Sequence, residues 1–261
     1  MAYTLKFNFS KTFTGVVWTT LAVPERNVLI IEARDEASHE ARFSAIDYQK
    51  GEFLWQNVLL EESWWVGLTA ATPDVLLFHL YHSTENPDDK GLIAYDINQQ
   101  KILWQYDHFS FACLGSNAVQ GYFTDQEMKT ASVSLNTGQI LEQSSSMKTT
   151  GQNISLRRPF QYAAGQKHFE TVAAFLEHKL DVKPVTSVEY LEYNELIFVS
   201  YYIQENSLAN YLVVLQENGA IVQQKKMDDG LKGLGLDTFF ILSGCLFFVR
   251  NKCELVSYRI V

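Results

Sequence analysis

The side chains best suited to chemistry in this chain are dispersed, and their spacing limits what they can do together. His79, Tyr81 and His82 fall on one apolar alternating run. Alternation puts His79 and Tyr81 on one face and His82 on the other, so the two histidines cannot share a metal ion from a regular strand. Asp107-His108 has the types of a hydrogen-bonded acid–base pair, yet no nucleophile stands at a motif spacing from it, and a Ser-His-Asp assignment has no basis. Glu85-Asn86-Pro87-Asp88-Asp89 offers oxygen donors without the Asp-x-Asp-x-Asp-Gly order of a calcium loop, and reads as a solvated hairpin tip. Gly230-Leu231-Lys232-Gly233-Leu234-Gly235 follows no clear strand and opens no helix, so it is a connection rather than a phosphate cradle. Cys113, Cys245 and Cys253 are odd in number and lack metal-ligand spacing, which predicts reduced core or strand thiols. The sequence therefore predicts no metal and no cofactor, and it identifies no catalytic residue.

Residues suited to binding are easier to name. Trp64-Trp65 lies in a connection between two strand groups; in an extended segment one ring packs while its neighbour points the other way. Arg157-Arg158, just before Pro159, can hold a carboxylate or a phosphate between two guanidinium groups. Glu189-Tyr190 and Tyr201-Tyr202 lie on adjacent predicted strands, with alternate members turned to the core and their neighbours turned toward a ligand. The expected ligand contacts are Trp64, Trp65, Arg157, Arg158, Glu189 and Tyr201. Trp18, at the start of a strand, reads as core.

These residues are carried by a repeat. Phe43-Ser44-Ala45-Ile46-Asp47-Tyr48-Gln49-Lys50-Gly51-Glu52-Phe53-Leu54-Trp55-Gln56 returns as Leu92 to Gln105, and one offset relates Ala45 to Ala94 and Trp55 to Trp104 (94 − 45 and 104 − 55 both give 49). A fixed period of that size marks a repeat architecture. Each copy sits among alternating apolar runs parted by turn residues, the pattern of meandering antiparallel strands. The first unit comprises strands at 17–23, 28–33, 42–48 and 52–59, and the second strands at 67–71, 75–82, 91–97 and 101–106. A fainter third covers 109–143, a fourth 186–224, and a last unit has only three strands, ending at 254–260. Four strands in just under fifty residues is the content of one propeller blade. The run Thr4 to Ser10 also alternates, and it is predicted to complete the last blade by pairing with Glu254 to Ile260.

Residues 146–184 break the pattern. A polar run from Ser144 to Gly151 reads as a surface loop, and Phe169, Val172, Ala173, Leu176 and Leu180 then recur as one face of a helix near 167–181. The expected fold is all-β: a single β-propeller domain over 1–261, most simply of five four-stranded blades with this helix inserted, the alternative being six blades with one degenerate.

The phrase Ala-x-Asp-x-x-x-Gly-x-x-x-Trp resembles the repeat of quinoprotein-like propellers, such as the pyrroloquinoline-quinone dehydrogenases and related scaffold proteins. The resemblance implies that Trp55 and Trp104 pack between blades, while Asp47, Asp96, Gly51 and Gly138 shape outer-strand turns. The quinone-using members have more blades, a secretion signal and a calcium site, so the cofactor is not implied here. His168-Phe169-Glu170, the segment Ser187 to Tyr193, and Val199-Ser200-Tyr201-Tyr202 resemble an uncharacterised family found mainly in Bacteroidetes.

With 21 Lys and Arg against 30 Asp and Glu, the formal charge is −9. Such a surface repels phosphate backbones, which argues against nucleic acid as a partner. No apolar run approaches a membrane span, and the first residues lack the layout of a signal peptide, so membrane insertion is not expected and a cytoplasmic location is. The expected function is non-catalytic binding or scaffolding of a protein or small molecule through a channel mouth and inter-blade loops. The alternative is a hydrolase-like or lyase-like site assembled on a propeller axis from several blades.

Overall fold

The computed structural model describes residues 3–83, 85–126, 128–141 and 155–261. The chain divides into two compact units: Thr14–Asn153, and Met1–Phe13 together with Ile154–Val261. Both are made of antiparallel meander sheets of the blade type, five sheets among the described residues, as the five-unit count anticipates. No helix among those residues is long and apolar enough to cross a membrane.

The chain opens with β1 (Leu5–Thr12), which belongs to the same unit as Ile154–Val261. The Thr14–Asn153 unit holds three four-stranded sheets. The first contains β2 (Val16–Val23), β3 (Val28–Asp35), β4 (Glu40–Asp47) and β5 (Glu52–Val58). The second contains β6 (Val66–Ala71), β7 (Val75–Tyr81), β8 (Lys90–Asp96) and β9 (Lys101–Tyr106). The third contains β10 (Phe109–Leu114), β11 (Ala118–Phe123), β12 (Lys129–Ser134) and β13 (Ile140–Leu141). The middle strands are apolar on both faces, because each is covered on two sides. Phe43, Phe78 and Tyr95 join the first two sheets in one core, with Phe43 and Phe78 rings 4.7 Å apart. Leu77, Ala94, Phe109 and Val133 join the second to the third.

The repeated phrase accounts for this stacking. Asp47 Oδ1 accepts the backbone N–H groups of Gln49 and Lys50, and Asp96 Oδ1 accepts those of Asn98 and Gln99, so each aspartate pins the turn after a third strand. The turn then needs a left-handed residue: Gly51 (φ 73°) and Gly138 (φ 70°) supply it cheaply, whereas Gln100 (φ 52°) adopts it in the second copy. Each tryptophan reaches the following sheet. Trp55 Nε1 donates to the Ile97 carbonyl at 3.1 Å, and Trp104 Nε1 to that of Leu135 at 2.8 Å, both just beyond a third strand. A Cβ on Gly138 would lie 2.7 Å from Trp104 Cγ, so the glycine also clears space for the ring.

The second unit contains two five-stranded sheets. One runs β15 (Phe160–Ala163), β16 (Val185–Tyr193), β17 (Leu196–Gln204), β18 (Leu208–Gln216) and β19 (Ile221–Leu231), with α1 (Lys167–Leu180) inserted between β15 and β16. The other runs β1, β22 (Glu254–Ile260), β21 (Cys245–Arg250), β20 (Phe239–Leu242) and β14 (Leu156–Arg157). The N-terminal strand does pair antiparallel with the C-terminal one, from Leu5 opposite Ile260 to Thr12 opposite Glu254. The helix spans the residues its periodicity predicts, with Phe169 and Leu176 buried against Val188, Val199 and Val213. Strands β14 and β15 were not legible in the sequence, since two and four residues are too short to show alternation. Of the predicted loop at 144–151, nothing falls within the described residues.

Candidate functional site

Beta-bulges place the exposed chemistry of the Thr14–Asn153 unit. The ladder between β2 and β3 shifts register between Val17 and Thr19, so Trp18 is the extra residue; β6 shifts at Thr69 and β10 at Ala112. A bulge turns its extra side chain out of the regular pleat. Trp18 is accordingly 67% exposed, which corrects the expectation that it belongs to the core.

Arg34, at the end of β3, lies between two tryptophans. Its guanidinium carbon is 5.6 Å from the centroid of Trp18 and 5.4 Å from that of Trp64. Its nitrogens are committed internally: Nε donates to Glu32 Oε1 at 2.6 Å, Nη1 to the Trp64 carbonyl at 2.8 Å and Nη2 to the Val66 carbonyl at 2.6 Å. Glu32 is buried, and its second oxygen accepts the Leu68 N–H at 2.8 Å. Burial pushes the Glu32 carboxyl above the usual carboxylate range, while the Leu68 N–H and Arg34 pull it back. The Glu32–Arg34 pair thus fixes the 64–68 segment to the first sheet and presents tryptophan faces to the outside.

Trp64 and Trp65 divide their roles as the extended-chain reading predicts. Trp64 is half-buried, with Arg34 near its ring and the His39 ring 5.2 Å away. Trp65 is 45% exposed and lines a recess of ≈ 340 Å³ with His82, Ser83 and Glu85. Glu62 Oε1 accepts the backbone N–H groups of Trp64 and Trp65, which fixes the segment that carries the rings. Glu36 and Glu61, near Arg34 and Trp64 in the chain, are exposed, as is Glu85 of the recess.

His79 and Tyr81 share a face, with ring centroids 4.8 Å apart, and His79 Nδ1 meets the hydroxyl of the bulge residue Thr69 at 3.0 Å. Burial, followed by the charges of Lys90 and Arg34, lowers the His79 pKa to about 4. Unfolding restores an ordinary imidazole near 6.5, so the unfolded chain takes up the proton first as pH falls. The contribution of His79 to stability is therefore full above pH 6.5 and is lost toward pH 4, by up to about 3 kcal/mol. In urea titrations across that range, His79→Gln is expected to flatten the acid loss of stability; an unchanged pH profile would count against a buried neutral ring.

The Asp107-His108 pair suggested by sequence does not form. His108 Nδ1 instead meets Asp89 Oδ1 at 3.0 Å, and Thr124 donates to the same oxygen, because the hairpin tip folds over the start of the third sheet. Hydrogen bonding to Asp89 raises the His108 pKa. Among the described residues no group of three or more His, Cys, Asp or Glu side chains is placed to hold a metal ion.

In the other unit two of the sequence-predicted contacts, Glu189 and Arg158, meet the 235–238 connection, although as structural ties. Glu189 is buried, and its carboxylate accepts the N–H groups of Asp237 (2.7 Å) and Thr238 (2.9 Å) as well as the Thr238 hydroxyl. Burial pushes its pKa up, opposed by those bonds. Thr238 Oγ1 accepts from the Ser200 hydroxyl at 2.8 Å, and Gly235 N–H donates to the Tyr202 hydroxyl. Arg158 bridges to Asp237 at 2.7 Å, with its guanidinium carbon 6.0 Å from the Phe240 ring centroid. Arg157 is exposed on β14 and does not join Arg158 in a clamp on one partner. Tyr201 is fully buried, stacked 5.7 Å from Tyr211, with its hydroxyl accepting from Gln224. Neither Glu189 nor Tyr201 faces solvent, since both inner members of the predicted pairs are enclosed. The polar half of that sheet face thus captures the connection, while Leu191, Phe198 and Val214 on the same face pack against Ile241 and Leu246.

The family model for a domain of unknown function, DUF4905, matches residues 22–104, which span most of the first two sheets including Arg34 and Trp64-Trp65. No curated protein matches the chain. Among solved structures, the chain is similar to BamB from Moraxella catarrhalis at 14% identity, with 95% of this chain and 60% of that chain covered and a TM-score of 0.27. A member of the DUF4221 family from Bacteroides vulgatus is 10% identical, with 100% and 98% covered and a TM-score of 0.38. Raptor from Chaetomium thermophilum is 8% identical, with 100% and 29% covered and a TM-score of 0.43. The chain thus spans 60% of the length of BamB and 29% of that of Raptor.

Proposed function

We propose that this protein is a non-catalytic binding module whose blade-type sheets carry a recognition surface made by Trp18, Trp64 and Trp65 around Arg34. The observation that carries this reading is the exposure of two tryptophans on a scaffold fixed from beneath. Trp18 is 67% and Trp65 45% exposed, whereas Arg34 and Glu32, which position them, spend their hydrogen bonds inside the protein. Exposed, rigidly held tryptophans are the residues that dominate protein recognition. A preorganised support also reduces the ordering cost of binding.

The partner that fits is a basic protein segment. Tryptophan faces attract Lys and Arg side chains, Glu85 lines the recess beside Trp65, exposed Glu36 and Glu61 lie close to Arg34 and Trp64 along the chain, and the whole chain carries a charge of −9. Short basic peptides containing Lys, Arg and one aromatic residue are therefore expected to quench tryptophan fluorescence saturably, and added salt should weaken the effect. Charge-reversed peptides of the same length should bind at least about tenfold more weakly. Equal binding of the two peptide sets, or no saturable binding of either, would contradict the proposal.

A further inference from the structure

The helix α1 carries two stripes rather than one. Phe169, Val172, Ala173, Leu176 and Leu180 pack on the sheet and account for its anchoring. His168, Thr171, Val172 and Phe175 recur at the same helical spacing, displaced by one position; Val172 is shared with the anchoring stripe, whereas His168, Thr171 and Phe175 lie outside that core. It faces a cavity of ≈ 380 Å³ closed on the sheet side by Tyr162, Tyr190, Ile197 and Val199. Register explains the wall: Tyr190 is opposite Val199 on β17 and opposite Phe160 on β15, so these side chains share one face. Phe160, 69% exposed, and Phe175, 38% exposed, are large apolar rings left uncovered on this face and on the helix.

From this geometry we infer a small-molecule binding site between α1 and the β15–β17 face, suited to a neutral, flat aromatic molecule with one hydrogen-bonding substituent. A volume of ≈ 380 Å³ with mostly apolar walls and a few polar groups falls within the usual range of ligand pockets. The ring-rich lining (Tyr162, Tyr190, Phe175 and His168) favours a planar body through edge and face contacts. The Tyr162 and His168 rings stand 5.0 Å apart, which brings two polar side chains of the lining together. Thr171 donates to the Lys167 carbonyl and Tyr190 to Glu192, so these two hydroxyls hold the wall together. Among the described residues the lining contains no Asp, Glu, Lys or Arg, which disfavours a charged ligand. This site lies in a different unit from the tryptophan surface and does not depend on the role proposed there.

The test uses naphthol as a neutral probe and naphthalenesulfonate as its charged counterpart, with binding followed by calorimetry on the full chain. One naphthol is expected per chain, with naphthalenesulfonate at least about tenfold weaker. Val172→Phe and Thr171→Trp, which fill the cavity from the helix side, should each abolish naphthol binding while circular dichroism remains that of the parent. If either variant fails to fold, the parent chain still decides: naphthol should shift the NMR signals of His168 and Val172 most. Unchanged binding in a folded cavity-filling variant, equal binding of the charged probe, or shifts centred elsewhere would overturn the assignment.

Discussion

Deleting residues 1–10 is expected to lower the melting temperature by at least about 10 °C. The deletion removes most of β1, exposing the length of β22 to which it is hydrogen-bonded from Leu5–Ile260 to Thr12–Glu254. It also removes Phe9, a 7% exposed side chain whose ring lies 6.2 Å from that of Phe247. Loss of a buried phenylalanine alone costs about 3–5 kcal/mol. In a chain of this size each kcal/mol lowers the melting temperature by about 2–4 °C. The newly exposed β22 edge should promote association as well, because it presents unpaired backbone groups. Calorimetry with parallel light scattering checks both effects, and a melting temperature unchanged by the deletion would show that the N-terminal strand is dispensable.

Trp55→Ala should destabilise the chain by about 3–5 kcal/mol, the range for emptying a buried aromatic position. Trp55 is 8% exposed, packs against Tyr95 with ring centroids 6.4 Å apart, and donates to the Ile97 carbonyl in the neighbouring sheet. Removing it both opens a cavity and orphans that carbonyl. Trp55→Phe should lose less, because a ring remains and only the N–H donor and part of the volume disappear. Urea titration distinguishes the two: equal losses would mean that packing contributes little, and a negligible loss in Trp55→Ala would remove the role assigned to the repeat. Trp18→Ala, by contrast, should stay within about 0.5 kcal/mol, as for other exposed positions.

The contrast between Trp55 and Trp18 shows which parts of this molecule can be read from sequence. Trp55 and Trp104 recur with Asp47 and Asp96 because each copy must meet the next sheet in the same way, and repetition exposes that constraint. The N-terminal pairing and α1 were legible for similar reasons, one through a missing strand and the other through a change of period. Trp18 was not legible: a single-residue bulge reverses which side it faces, and nothing local to Val16–Val23 announces the bulge. Arg34 and Glu32 look like ordinary polar ends of a strand until Trp64 and Leu68 are brought beside them from another sheet. His108 finds Asp89 rather than its neighbour Asp107 because the hairpin tip folds back over it. Glu189 was marked by its charge on a predicted strand, but its buried role depends on the distant 237–238 backbone.

The division of labour is therefore between residues that repeat and hold sheets together, and residues that occur once and are presented by bulges and connections. The proposed recognition surface belongs to the second group, and the exposure of its rings serves binding rather than stability. Calorimetric titration of a basic peptide into the parent chain and into a Trp18→Ala/Trp65→Ala variant tests this directly. The expected result is at least a tenfold rise in Kd, about 1.4 kcal/mol, with the urea midpoint nearly unchanged. Undiminished affinity in a variant of parental stability would contradict the account.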